Sequence, residues 1–332
     1  MRECGLKEHP GRYSLVMRIL ITGGTGFVGG RLADKLVTSG YDVLLGTRNG
    51  SEKYDWLTNV KIDKIAWEDP GSLQKLCSGV NVVVHAAGMN AGDCASDPQA
   101  AHVFNGDSTG RLAVAAARAH VENLIYLSTA HVYRNPLLGL IDEHTLPENT
   151  HPYATSKLAG EFAAMEAGRL GTLKVSVLRL SNVFGKPMHR SVNCWMLVVQ
   201  DLCRQAVQKK RMILRNADQK RDFVAMSEVC SLVDQLIVDN CIEKQEGIFN
   251  LGSGVSQSVL EIANLIRVRC IELLSFEPEI AFSDLPCHNT AALHYRTDKL
   301  SSIGLRVDKT AAISELDNLI LFCEREFGER NI

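Results

Sequence analysis

An α/β fold, one doubly wound parallel sheet with a smaller mixed C-terminal region, is what this sequence predicts on three observations. The first is Ile19-Leu-Ile-Thr-Gly-Gly-Thr-Gly-Phe-Val-Gly-Gly30, where a β-branched apolar run feeds into Gly23-x-x-Gly26-x-x-Gly29 and then into the apolar-periodic Leu32 to Leu36. That order reads as strand, tight turn and helix start. The second is a set of near-continuous apolar runs, each short enough to be a strand buried on both faces. The third is that helical patterns separate those runs, as a parallel sheet covered on both sides requires.

The strands are Asp42-Val-Leu-Leu45, Asn81-Val-Val-Val-His85, Asn123-Leu-Ile-Tyr-Leu127 and Lys174-Val-Ser-Val-Leu-Arg-Leu180. Helices are predicted over Ser72 to Ser78, Ser108 to Ala119, Tyr153 to Gly168 and Val192 to Val207. The rhythm loosens after about residue 181, where proline and loop residues enter. We therefore divide the chain into an extension over 1–16, a dinucleotide-binding unit over 17–180 and a mainly substrate-binding region over 181–332. A strand near 248–251 is expected to return to the main sheet. Met17 directly precedes Arg18 and the first strand, so nothing functional is assigned to the extension.

The 332 residues are 45% hydrophobic with a formal charge of −2, the balance of a soluble globular protein that is not drawn to nucleic acid or a membrane surface. No apolar run approaches the roughly 20 residues of a spanning helix, and the first sixteen residues lack the apolar core of a secretory signal. Ten scattered cysteines without C-x-x-C or histidine partners argue for neither a disulfide framework nor a metal site, and place the chain in a reducing cytoplasm.

The glycine turn points to chemistry. Glycine is needed where φ is positive and where backbone must approach a pyrophosphate, whose charge then rests on the free N–H groups of the following helix. A sharp loop alone would also use glycine; its placement between strand and helix favours a dinucleotide and a Rossmann-like unit. About 20 residues on, a carboxylate would mark NAD, but the sequence reads Gly46-Thr47-Arg48-Asn49. Arg48 can pair with a 2′-phosphate, which favours NADP over NAD, the other reading being a solvated loop arginine. Arg31 could assist or lie on the helix surface.

Tyr153-Ala-Thr-Ser-Lys157 places a phenol and an ammonium four residues apart on one helix face. Tyrosine has a pKa near about 10, so it exchanges a proton at neutral pH only if a neighbouring charge stabilises its phenolate, a task Lys157 can perform. Thr129, in Ser128-Thr129 at the carboxyl end of a strand, can polarise the same oxygen. Singly, these are a surface pair and a turn. Behind a dinucleotide loop they read as a catalytic set.

With these residues in place the chain resembles an extended short-chain dehydrogenase/reductase of the NAD-dependent epimerase/dehydratase group, which acts on nucleotide sugars. The likeness runs from Arg18 to about Gly304. It rests on Thr22-Gly-Gly-Thr-Gly-Phe-Val-Gly29, Val84-His-Ala-Ala-Gly88, Asn105, Leu127-Ser-Thr-Ala-His-Val-Tyr133, Tyr153-x-x-x-Lys157, Leu178-Arg-Leu-Ser-Asn-Val-Phe-Gly185, Arg221-Asp-Phe-Val224 and Phe249-Asn-Leu-Gly-Ser-Gly254. The resemblance implies Tyr153 as general acid/base, Lys157 on the nicotinamide ribose and Thr129 as hydroxyl partner. It implies Gly23, Thr25, Gly26, Phe27, Val28, Ala86, Ala87 and Gly88 along the cofactor, with Asn105 nearby or serving as a helix cap. Ser128, Asn182 of the Asn182-Val-Phe-Gly185 turn and Arg221 fall to the substrate, Arg221 on its phosphates. Relatives of this kind form homodimers through the helix bearing Tyr153 and the one before it, where Ala113 to Ala119 would allow close packing.

Departures narrow the reaction. Dehydratases of the group carry acids directly after the hydroxyl residue, whereas this chain has Thr129-Ala130-His131, so dehydration is disfavoured. A 4-keto-sugar-nucleotide reductase using NADPH remains, with a 4-epimerase retaining NAD as the alternative. The arginine and glycine-aspartate often found before the final lysine are missing around Asp284 to His294. His131, with His189, could protonate a ring carbon. Reduction of a non-sugar carbonyl and a non-enzymatic dinucleotide sensor stay open. The basic run Lys209-Lys-Arg211 with Arg215 and Lys220 lacks interleaved aromatics and reads as a solvated face, and Arg179, inside a strand, as an ion-pair partner.

Overall fold

A computed structural model describes residues 16–48, 56, 60–169, 171–238, 246–283, 292–308 and 310–328. The extension up to residue 15 and most of the stretch around Asp284 to His294 lie outside the described residues.

Seven strands form one sheet in the order Gly247–Leu251, Lys174–Leu180, Asn123–Thr129, Val82–His85, Arg18–Thr22, Asp42–Thr47 and Lys61–Lys64. Every neighbouring pair is parallel. Side chains alternate between the two faces with period two. Ile19 and Ile21 pack with Leu32, Ala33 and Leu36 of the helix Phe27–Thr38 and with the helix Met226–Val238. Leu20, Val83 and Leu124 turn the other way onto Leu73, Leu112, Ala113, Ala116 and Ala164, which belong to helices Pro70–Cys77, Ser108–Arg118 and Pro152–Arg169. The first strand sits mid-sheet with its carboxyl end beside that of Val82–His85. The crevice above those ends is where a doubly wound sheet holds its ligand.

Above it lies a second core, in which Val199, Leu202 and Cys203 of the helix Val198–Lys209 meet Phe184, Phe223 and residues of helices Val259–Leu274 and Ala311–Phe327. The two cores are tied by charge. Arg31, on the glycine-loop helix, gives a bidentate pair of bonds to Glu315 at 2.6 and 2.9 Å, and Glu315 also accepts from the backbone N–H of Lys186 and Ser227. Arg31 is thus a clasp between cores rather than a phosphate ligand or a free surface group.

Three sequence expectations change here. The predicted helix over Val192 to Val207 begins only at Val198, because short turns from His189 to Leu197 bond N–H groups to carbonyls two or three residues back. Asn182–Phe184 is a short strand paired with Lys220–Ala225, not a turn. Ala113, Ala115 and Ala116 face the chain's own core, leaving Val114 and, on the next helix, Phe162 as the outward apolar groups. Much of the basic run is locally matched: Lys210 lies 3.6 Å above the Phe276 ring, Arg211 is 3.4 Å from Glu279 and Lys220 is 2.8 Å from Glu261.

Candidate active site

The glycine turn owes its shape to a lack of side chains. Gly23 has φ +71, and a Cβ there would stand 2.7 Å from the Ala87 nitrogen; one on Gly29 would stand 2.2 Å from the Gly23 carbonyl. Gly26 caps the helix Phe27–Thr38 with no side chain across its first N–H groups. A cavity of about 1100 Å³ runs from this turn over the sheet to the second core, its wall including Gly23, Thr25, Gly26, Phe27, Val28, Arg48, Ala86 and Gly88. An open cradle of backbone donors beneath a cavity of that size fits a dinucleotide.

Ala87 and Asn105 are placed behind this wall. The Ala87 backbone packs on Gly23, and its N–H reaches the Thr22 hydroxyl at 3.4 Å. Asn105 lies buried in a π-helical segment, His102–Asp107, accepting from the Met89 N–H at 2.8 Å and donating to the Ser156 hydroxyl at 3.0 Å. It therefore holds the loop after Val82–His85 against the catalytic helix rather than capping a helix.

Between them runs a chain of bonds the sequence did not announce. The Thr109 hydroxyl donates to the Asn105 carbonyl at 2.7 Å, so its oxygen accepts from His85 Nε2 at 2.9 Å. His85 Nδ1 then accepts from the Thr22 hydroxyl at 2.6 Å. Burial, with Lys157 as a nearby like charge, pushes His85 down to about 3. His131 is pushed down to about 4 by burial and by Arg221 and His151 beside it. Both stay neutral in the folded chain at pH 5, while unfolded histidines take up protons below about pH 6.5. Folded values below unfolded ones mean stability that is complete above about 6.5 and lost as pH falls toward the folded values. Urea midpoints are expected to drop between pH 7 and pH 5, and to drop less in His131→Asn; an equal drop would contradict this assignment.

Thr129 ends the strand Asn123–Thr129, and Tyr153 lies in the first turn of the helix Pro152–Arg169, where its N–H donates to His151 Nδ1 at 3.2 Å. Tyr153 and Thr129 both line the cavity, and the nearby threonine hydroxyl eases ionisation of the phenol, so the two side chains address one region of it. Lys157, one turn on, donates to the Leu127 carbonyl at 2.7 Å and lies 4.2 Å above the Tyr126 ring. Burial raises the Tyr153 phenol and lowers the Lys157 ammonium to about 7. Lys157 is not among the groups that shift the phenol, which burial keeps protonated at neutral pH. A protonated phenol beside a threonine hydroxyl can donate two hydrogen bonds to a carbonyl oxygen and deliver a proton to it.

Ser128 also borders the cavity, yet its hydroxyl donates to Glu161, which is one turn beyond Lys157. Glu161 is locked in turn by Arg179, whose Nη2 lies 2.6 Å away, and both side chains are buried. The Ser128 hydroxyl thus serves the buried Glu161–Arg179 pair while it borders the cavity. Asn182 lines the cavity with its amide on the Asp222 carbonyl at 2.9 Å. Arg221 lines it half-buried, and its guanidinium donates to the Gln219 amide oxygen at 2.8 Å. His131 and His189 line it too. Among the described residues no group of three or more histidine, cysteine or acidic side chains could hold a metal, and no helix is long and apolar enough to cross a membrane.

A dinucleotide cradle facing a Tyr-Lys-Thr set across a parallel sheet defines an extended short-chain dehydrogenase/reductase. The chain belongs to the NAD dependent epimerase/dehydratase family, whose model matches residues 19–252. It is 28% identical over 255 residues to dTDP-6-deoxy-L-talose 4-dehydrogenase (NAD(P)(+)) of Kitasatospora kifunensis, covering 75% of this chain and 78% of that protein. To UDP-glucose 4-epimerase of Mycolicibacterium smegmatis it is 27% identical over 266 residues, 75% and 82% of the two chains. The fold is shared with a UDP-glucose 4-epimerase of Thermotoga maritima solved with UDP-glucose, at TM-score 0.76 and 21% identity over 93% of this chain and 99% of the other. The chain is accordingly a nicotinamide-dependent enzyme of a nucleotide-sugar-modifying family.

Proposed function

We propose that this chain exchanges hydride between a nicotinamide cofactor and C4 of a nucleotide sugar, reducing a 4-keto sugar with NADP favoured over NAD. The observation that carries the substrate class is Arg221, a half-buried guanidinium in the cavity wall with no carboxylate partner among the described residues. Burial lowers its affinity for its proton, and a diphosphate is the anion its planar fork suits. Around it the wall carries Arg48, His131, His151, Lys157 and His189 against Asp93 as its acid among the described residues. A nicotinamide dinucleotide, when bound, supplies or accepts the hydride. Tyr153 supplies the proton to the C4 oxygen while Thr129 holds it, and Lys157 stands where a ribose hydroxyl would take the place of the Leu127 carbonyl.

NADP is supported by Arg48, exposed just past the strand Asp42–Thr47 and in no ion pair among the described residues. A 4-epimerase that retains NAD is the second reading, favoured by the name of the mycobacterial relative. Mass spectrometry of nucleotide released by acid from freshly purified protein separates them. No nucleotide, or NADP(H) that washes away, is the result expected of the reductase; retained NAD would establish the epimerase reading.

A homodimer through helices Ser108–Arg118 and Pro152–Arg169 is supported by Phe162, 68% exposed, and Val114 on their outer faces. A monomer in solution scattering would contradict it. A reducing cytoplasm is supported by the seven described cysteines, each buried and unpaired.

A further inference from the structure

We propose that Gln200 reads the hydrogen-bonding edge of the substrate's nucleobase, an inference that rests on the nucleotide-sugar reading above. Gln200 lies in the first turn of the helix Val198–Lys209, wholly buried, in the wall of the cavity. Neither its amide oxygen nor its amide nitrogen has a hydrogen-bond partner among the described residues. None of the other buried polar atoms left without a partner there belongs to a cavity-lining residue. A primary amide offers two donors and a two-lone-pair acceptor, and leaving all of them unmet in the interior is a penalty that a bound group would remove.

Position selects which part of the substrate that is. Thr129 lies in register with Leu180; two residues on, Asn182 lies in register with Phe223; and Phe223 packs against Val199 and Leu202 of the Gln200 helix. Two strand spacings of about 4.8 Å each and then a helix layer therefore separate the proton donor from Gln200. A sugar ring held at Tyr153 and Thr129 stops short of that helix. Arg221, two residues before Phe223 on the same strand, serves the diphosphate between them, so the base is the part left to reach Gln200. The wall there also carries the apolar Met196 and Leu197, 58% and 38% exposed, against which a base plane can rest. Each base presents neighbouring donors and acceptors on its edge, and a site built to bond such an edge rejects analogues that lack it.

The test is calorimetric titration of the full chain, loaded with nicotinamide dinucleotide, with UDP, dTDP, CDP, ADP, GDP and inorganic pyrophosphate. The wild type is expected to bind at least one nucleoside diphosphate ten-fold or more tighter than pyrophosphate. Gln200→Met, nearly isosteric, is expected to lose ten-fold or more for that nucleotide, with pyrophosphate and dinucleotide binding unchanged and a melting temperature equal or higher. Gln200→Leu, of different apolar shape, is expected to match it, which separates lost bonding from misfit. Wild-type affinities retained across the series in both variants would overturn the role of Gln200 alone. A wild type that binds no nucleoside diphosphate more tightly than pyrophosphate would overturn the nucleotide-sugar reading, and this inference with it.

Discussion

Tyr153→Phe is expected to lower turnover by about 10²- to 10⁴-fold, the usual worth of a positioned acid or base, while the chain still folds and binds its dinucleotide. The variant removes one oxygen and keeps the ring, so the helix Pro152–Arg169 retains its packing. What disappears is the proton that burial keeps on the phenol at neutral pH. Thr129 alone can hold an oxygen but is too weak an acid to deliver a proton to it at neutral pH. Steady-state turnover with fluorescence titration of the dinucleotide checks both halves. Activity within a few-fold of wild type would remove Tyr153 from the chemistry.

The largest effect on stability is expected at Glu161. Glu161→Ala strands Arg179, whose side chain is 4% exposed, and deprives the Ser128 hydroxyl of its acceptor. An uncompensated charge of this kind costs about 3–5 kcal/mol. Arg179 also lies against the Tyr133 ring, 4.7 Å away, and Tyr133 in turn donates to Asn250 at 2.7 Å, so the disturbance reaches the neighbouring outer strand. Removing both charges, as Glu161→Leu with Arg179→Met, is expected to recover much of the loss, since neither ion is then left buried alone. Urea denaturation of the two variants gives the comparison. A single variant within 1 kcal/mol of wild type would show that the pair is not the bond between helix and sheet described here.

The sequence made legible what depends on neighbours along the chain. The glycine turn could be read because its backbone admits no Cβ at Gly23 or Gly29, and the strands because burial on both faces leaves few polar positions. Tyr153 and Lys157 could be read because one helix turn fixes their spacing. Pairings across the fold could not. Thr22 and His85 are 63 residues apart, His85 and Thr109 are 24 apart, and Arg31 meets Glu315 across 284. Nothing local marks these partners, although Glu161 stands one turn beyond Lys157 on the same stripe and Ser128 beside Thr129. Charge was hidden for the same reason. Lys157 promised an ammonium that would lower Tyr153, but the depth of its burial, set by residues far along the chain, decides its state. The inward turn of Ala113, Ala115 and Ala116 is a further case, since an alanine run says that helices approach closely without saying which helices.

The most direct measurement is to supply reduced dinucleotide bearing deuterium at the transferring nicotinamide carbon, together with a panel of nucleotide 4-keto sugars, and to locate the label by mass spectrometry and NMR. Deuterium is predicted at sugar C4 with wild type and at a level reduced by orders of magnitude with Tyr153→Phe. Failure to label any nucleotide sugar, with label appearing instead in a ketone that bears no phosphate, would contradict the account.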